Sequence, residues 1–470
     1  MKIALVQQNY KIGDMAGNAA RMRAAIAEAA ERGAAAMVFS HRALVGNGPL
    51  LGLAASEAFE RQAEEAESEV AAFAASAGVR LISKDTEIEG IRIHCAADYF
   101  RHGGPEEKRE RLRGEATATG CPVVWVNAVG AQTGTIYYGG SCVVWPGGEA
   151  VELPLFKEEV AVVDLSRPQE RSAAWGDRLD QLHGALILGI RDYFAKTGMR
   201  DACVAMSGGI DSALVLALAA EALGTEHVKT VMLPSRYSSG HSVEDSEEMI
   251  RRLGIPAGQV WRIPITGTFD AALDALRPIL DSAATDASRG LAEENMQSRI
   301  RLMMTMALSN SHGALMLNTS NKSEAAVGYG TLYGDTSGAL GVIGDLYKED
   351  VYALSRQINE AAVARGAAEG PIPEHILTKA PSAELRPGQQ DTDSLPDYPL
   401  LDAILQRLIE GGRSAAEVVA EGFEREVVER VCRLLLSGDF KRFQLPPALR
   451  VSGCTFGVEW QWPIVAAKIL

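Results

Sequence analysis

Residues 202–223 read ACVAMSGGIDSALVLALAAEAL, and this stretch decides the fold of the C-terminal half. The apolar run Ala202 to Met206 has the length of a buried strand, and the run from Ser212 to Leu223 that of a helix. Between them lies Ser207-Gly208-Gly209-Ile210-Asp211-Ser212. Two glycines let the backbone turn tightly and approach a ligand closely. The serines and the N–H groups at the helix start make a nest for an anion. Asp211 can present a carboxylate to magnesium, which prefers oxygen ligands. The Walker A pattern, with its Lys, is absent. A nest of Ser and Gly without that Lys suits a departing pyrophosphate.

Working outward, a helix is predicted at 180–197, a strand at 228–233 and a helix at 242–253. Alternating strands and helices imply an α/β fold with a doubly wound parallel sheet, and a ligand beyond the carboxyl ends of the strands. Residues 380–398 are rich in Pro, Gly, Asp and Gln and read as a long loop of the kind that covers active sites. Helix resumes over 399–436. Upstream, strands are predicted at 2–7, 36–39, 79–83, 91–95, 122–128, 135–145 and 148–163. Helices fall at 17–33, 56–77 and 105–118. The expected organisation is a mixed α/β domain over 1–165, a linker at 166–178 and a second domain over 179–470.

Composition narrows the function. The chain has 470 residues with a formal net charge of −15. Such a charge excludes a generic grip on nucleic acid, which needs a basic surface. Phosphorylated small ligands are still allowed, because a few amides and cations hold phosphates locally. Cysteines 95, 121, 142, 203, 432 and 454 form no CxxC pair, so neither a zinc site nor a redox pair is signalled. The N-terminus lacks the pattern of a signal peptide, and no run of apolar residues is long enough to span a membrane. A cytoplasmic enzyme is the expectation.

SGGIDS resembles the pyrophosphate loop of the ATP pyrophosphatase (PP-loop) superfamily. Six further blocks resemble NAD synthetases: LPSRYSS (233–239), EENMQSRIR (293–301), LNTSNKSE (317–324), VGYGTLYGD (327–335), PSAELRP (381–387) and DFKRFQLPP (439–447). The resemblance implies an adenine nucleotide alpha-hydrolase-like, Rossmann-like fold and an enzyme that uses ATP and Mg²⁺ to turn deamido-NAD into NAD. It implies that Ser207, Gly208, Gly209 and Ser212 cradle the β- and γ-phosphates, with Thr319 also on ATP. Asp211 and Glu324 would bind magnesium, and Arg236 and Lys348 would face the phosphates. Asn295, Arg299, Glu324 and Lys441 would seat deamido-NAD, Lys441 across a subunit boundary in a homo-oligomer. Asp335 would lie by the nicotinate ring and the incoming nitrogen, so the implied catalytic set is Asp211, Glu324 and Asp335. Gly344 stands where many members of the family carry Lys.

The first domain resembles a shortened nitrilase-type glutaminase domain at MKIALVQQNYKIGDMAGNAARM (1–22), AAMVFS (35–40) and CPVVWVNAVGAQTGTIYYGGS (121–141). Such domains use a Cys nucleophile, a Glu base and a Lys. Here His41 occupies the Glu position, and 42–104 is too short for the usual Lys and Cys elements. Cys95 is the one thiol near the expected place and reads as a buried structural residue. The expectation is therefore a degenerate glutaminase domain with a structural role, and free ammonia as the nitrogen source. A glutamine-dependent enzyme with an atypical amidotransferase site, another adenylating amide ligase and a non-catalytic paralogue stay open as alternatives.

Overall fold

The computed structural model describes residues 1–48, 52 and 56–467. Part of the shortened segment 42–104 therefore lies outside the described residues. The chain divides into two compact units, Met1–Lys196 and a second beginning at Thr197.

The first unit contains β1 (Lys2–Gln7), β2 (Ala36–Phe39), β3 (Arg80–Ile82), β4 (Thr86–Ile88), β5 (Ile91–Ala96), β6 (Val123–Asn127), β7 (Val129–Gln132), β8 (Thr135–Tyr138), β9 (Cys142–Val144), β10 (Ala150–Glu152) and β11 (Glu159–Asp164). One sheet has the order β11-β1-β2-β3, a second the order β10-β9-β6-β5-β4, and β7 and β8 form a hairpin. Alternation along the strands explains the layers, because successive side chains point to opposite faces. On β1, Ile3 and Leu5 join Ile93, Val124, Val126 and Val143 in a core shared by the two main sheets. Ala4 and Val6 face the other way, with Met22, Ile26 and Val70 of helices Met15–Glu31 and Glu57–Ser76. A strand buried on both faces must be apolar throughout, and IALV is.

Two expected strands are each broken. Residues 135–145 split into β8 and β9 at Gly139 and Gly140, whose φ angles are 70° and 67°. A Cβ on Gly139 would lie 2.5 Å from Gln7 Nε2, so the chain turns there against a buried glutamine. Residues 148–163 split into β10 and β11 around Phe156, at φ 57°.

The second unit is built on β12 (Ala202–Ala205), β13 (Val228–Met232), β14 (Val260–Arg262), β15 (Leu315–Asn318) and β16 (Leu340–Gly341). The order is β14-β13-β12-β15-β16, and every pairing is parallel. The chain steps outward from β12 through β13 to β14, then returns to the other side of β12. This reversal creates a crevice at the carboxyl end of β12, where ligands bind in such sheets. Helix Ile210–Leu223 starts there and is buried almost all round, from Ala213 to Ala219, as a helix apolar on every face must be. The helical segment expected at 399–436 is three helices, Tyr398–Ile409, Ala415–Ala420 and Arg425–Ser437, separated at Gly411-Gly412 and Gly422. They pack on Ala326, Val327 and Tyr347. Among the described residues no helix is long and apolar enough to cross a membrane.

Candidate active site

A cavity of about 300 Å³ opens at the carboxyl ends of β12, β13 and β15. It is lined by Ser207, Gly209, Asp211, Ser212, Thr319, Glu324, Asp335 and Lys348, all expected from the sequence. The two glycines do different work. Gly208 has φ +81°, and a Cβ there would lie 2.3 Å from the Ser242 carbonyl oxygen, so the loop rests directly on the backbone of helix Gly240–Leu253. Gly209 is extended and caps helix Ile210–Leu223 with no side-chain bond. The first N–H groups of a helix have no intrahelical partner, so this end offers donors and a positive dipole end to an anion. Ser212 Oγ sits 3.1 Å from Ser207 Oγ and donates to the Gly209 carbonyl at 3.0 Å, bracing the turn from inside.

Two carboxylates meet on one ammonium. Lys348 Nζ lies 2.5 Å from Asp211 Oδ2 and 3.0 Å from Glu324 Oε1, and its side chain is almost completely buried. Burial works against the Lys348 charge, but Asp211 and then Glu324 outweigh it and hold its pKa above the ordinary lysine value. For Glu324, burial is the stronger influence and pushes its acid up to about 7, against the pull of Lys348. One ammonium thus serves two acids. That charge set suits one further cation. Among the described residues no cluster of three metal-ligating side chains exists, so phosphate oxygens and water would have to complete a magnesium shell, as is usual for that ion.

Asn321 was not singled out from the sequence, yet it joins the parts. Its Oδ1 caps helix Lys322–Val327 by accepting from the Glu324 N–H, and its Nδ2 donates to Asp211 Oδ1 at 2.9 Å. The signal was present as Asn-x-x-Glu, a helix-start pattern.

Asn295, Arg299 and Lys441 do not line the cavity; they hold the 328–335 loop that carries Asp335. Asn295 Oδ1 accepts from Thr331 Oγ1, Arg299 Nε donates to the Leu332 carbonyl, and Lys441 Nζ donates to the carbonyls of Gly328 and Gly330. The Asp335 carboxylate accepts from the Thr331 N–H and from Ser298 Oγ. Burial raises its pKa above the usual carboxylate range in spite of those bonds. Arg236 also lies outside the cavity lining and pairs with Asp270. Besides Lys348, the cations that line the cavity are Arg301 and Lys379. Burial lowers the Arg301 pKa, and its Nε donates to the Leu233 carbonyl. The loop read as a cover supplies the other wall through Pro381, Glu384 and Asp391. Glu384 accepts from Ser239 Oγ and Ser242 Oγ at the start of helix Gly240–Leu253.

Gly344 has a local cause. A Cβ there would lie 3.1 Å from Ala448 Cβ, because the stretch around Ala448 runs beside Gly341. Asp345 next to it is buried, accepts from the N–H groups of Val451 and Ser452, and pairs with the fully buried Lys322 at 3.0 Å. A side chain at 344 would therefore press its Cβ against Ala448.

A family model for NAD synthase matches residues 183–446. The chain belongs to the NAD synthase family. A carbon-nitrogen hydrolase model matches residues 81–174, so the family's synthetase region is joined here to a nitrilase-like one. A relative from Synechocystis is 44% identical over 83% of this chain and 67% of its own, and one from Rhodobacter capsulatus is 42% identical over 78% and 67%. Both are glutamine-dependent NAD(+) synthetases. The solved glutamine-dependent NAD+ synthetase of Acinetobacter baumannii, in complex with ADP, is 27% identical with a TM-score of 0.73, covering 99% of this chain and 98% of that one. These findings overturn the expectation of free ammonia as nitrogen source and of a first domain reduced to structural duty: relatives in this family so close over most of the chain depend on glutamine.

Within the family's nitrilase-like region, Cys95 follows Ile91 and Ile93 on one face of β5 and lies in the core between the two sheets. Burial, then the nearby Asp85 charge, pushes its thiol up to about 12. His41 is exposed, and its N–H donates to the Ala96 carbonyl at 3.1 Å. A thiol needs a lowered pKa and a base in reach to act as a nucleophile, and Cys95 has the opposite setting.

Proposed function

We propose that the chain is a glutamine-dependent NAD synthetase with an atypical amidotransferase site. ATP activates the nicotinate carboxylate of deamido-NAD; water cleaves the glutamine amide to glutamate and ammonia, and that ammonia displaces AMP to give NAD. The observation that carries the synthetase reading is the cavity that unites the Ser207–Ser212 loop with Asp211, Glu324, Lys348 and Asp335. What supports glutamine as donor is the identity of the relatives. The functional boundary is proposed at 166–178, a segment that overlaps the end of the carbon-nitrogen hydrolase match at 174 and stops short of the NAD synthase match at 183.

The nicotinate carboxylate is a poor electrophile because it is already anionic. Its oxygen attacks the α-phosphorus of ATP, forming an acyl adenylate and releasing pyrophosphate. Positioning and charge neutralisation supply most of the catalysis in such a step. In this reading Ser207, Gly208, Gly209 and Ser212 receive the β- and γ-phosphates, and Thr319 touches ATP. Arg301 and Lys379 are better placed than Arg236 to meet phosphate charge. Asp211 and Glu324 would hold Mg²⁺, which neutralises phosphate charge when bound, and Lys348 orients both acids. Asn295, Arg299 and Lys441 set the 328–335 loop against deamido-NAD. Asp335, with its raised pKa, takes the proton that the attacking nitrogen sheds.

The test is NAD formation from deamido-NAD, ATP and Mg²⁺ with glutamine as the only nitrogen source, scored with pyrophosphate release. One pyrophosphate per NAD is expected. Pyrophosphate released with another carboxylate and not with deamido-NAD sinks the substrate assignment. Cys95→Ala is expected to keep glutamine-supported activity within about twofold, since a buried thiol of high pKa is inert. Loss of glutaminase activity in that variant, with ammonium-supported activity intact, would show that Cys95 is the nucleophile after all.

A further inference from the structure

Asp402 lies on helix Tyr398–Ile409, is 2% exposed, and does not line the cavity. Its Oδ1 accepts from Ser323 Oγ, and its Oδ2 accepts from the Glu349 N–H at 2.9 Å. Ser323 Oγ in turn accepts from the Lys348 N–H at 2.9 Å. Ser323 immediately precedes Glu324, and Glu349 immediately follows Lys348. One buried carboxylate thus ties together the two backbone segments that carry Glu324 and Lys348.

The arrangement follows from the unmet needs of a helix start. Helix Lys348–Ala364 begins after Tyr347, which makes no side-chain cap. Its first N–H groups have no partner within the helix, and the positive dipole end favours an anion. Asp402 provides that anion from a distant helix, directly for Glu349 and through the Ser323 hydroxyl for Lys348. Burial pushes its acid up to about 6, against the bonds from Ser323 and Glu349. A buried carboxylate at that cost, where an ordinary cap would serve the helix, has a geometric consequence: the Lys348 ammonium is set 3.0 Å from Glu324 and 2.5 Å from Asp211.

We propose that Asp402 is a positioning residue of the synthetase site, holding helix Lys348–Ala364 and helix Lys322–Val327 in the register that brings Lys348 to Glu324 and Asp211. This rests on the cavity being the ATP site. Asp402→Asn keeps the size but leaves one acceptor for two donors, the Ser323 hydroxyl and the Glu349 N–H. Ser323→Ala removes only the relay to Lys348.

The experiment compares wild type, both variants and the double variant. It measures kcat for NAD formation with saturating ammonium and MgATP affinity by calorimetry. Each single variant is expected to lower kcat and MgATP affinity about tenfold, the scale of a small misplacement. The double variant should be no worse than the weaker single one, because both act through one link. An Asp402→Asn protein with wild-type kcat and MgATP affinity overturns the proposal, and so do losses that simply add. If Asp402→Asn does not fold, Ser323→Ala decides alone, an unchanged kcat overturning the idea. If the wild type itself makes no NAD, the synthetase reading has failed, and MgATP affinity then decides: equal binding by wild type and variants overturns the positioning role.

Discussion

Lys348→Met is expected to slow synthesis severely and to destabilise the protein more than any other single change at the site. Among the described residues, Lys348 is the one cation paired with both Asp211 and Glu324. Removing one partner of a buried charge pair costs about 3–5 kcal/mol, because the remaining charge is left uncompensated. The loss should depend on pH with a definite sign. Burial already raises the Glu324 acid to about 7, and without the ammonium it rises further. A carboxyl group with a raised folded pKa destabilises the folded state as pH climbs above its unfolded value. The deficit of the variant should therefore be small near pH 4 and grow through pH 7 toward pH 8. Turnover should fall on the order of 10²–10³-fold, the scale of losing a preorganised charge contact. Chemical denaturation at several pH values checks the first part and steady-state kinetics the second. A deficit that shrinks as pH rises would refute the charge assignment.

Gly208→Ala should be nearly as damaging, for a steric reason. The residue has φ +81°, and its Cβ would meet the carbonyl oxygen of Ser242 at 2.3 Å and the Ser242 Cα at 2.9 Å. Left-handed backbone costs an ordinary residue roughly 1–2 kcal/mol, and a forced clash adds about 1–3 kcal/mol. The neighbouring atoms are backbone, so the loop itself must move, displacing the nest by a fraction of an ångström or more. Misplacement on this scale costs on the order of 10² in rate. Gly209→Ala is the control. Its Cβ would meet only Ser207 Oγ, at 3.3 Å, on an extended backbone, so its melting temperature should stay near that of the wild type. Equal loss of stability in the two variants would contradict the distinct roles assigned to the two glycines.

The parts of the site visible in the sequence are those that depend on short stretches of chain. Strand, Gly-Gly turn and helix at 202–223 are declared by run lengths, and Asp211 follows from its place in the first turn. Ile91, Ile93 and Cys95 alternate, and that period alone puts the thiol in the core. Contacts made over long separations were hidden. Nothing near Arg236 announces Asp270, and nothing near Asp402 announces Ser323 or Glu349. β16 has two residues, too short for any periodicity to register. The nitrogen donor is not legible in the sequence: missing elements in the first unit point to lost function, whereas the closely similar relatives of the same family depend on glutamine.

The central claim is best tested by isotope transfer. Wild-type protein is given deamido-NAD, ATP, Mg²⁺, amide-¹⁵N glutamine and an equal concentration of unlabelled ammonium, and the product is weighed by mass spectrometry. The account predicts NAD carrying ¹⁵N in its carboxamide, formed with one AMP and one pyrophosphate. NAD that is entirely unlabelled would contradict glutamine as the donor, and the absence of NAD would contradict the synthetase assignment itself.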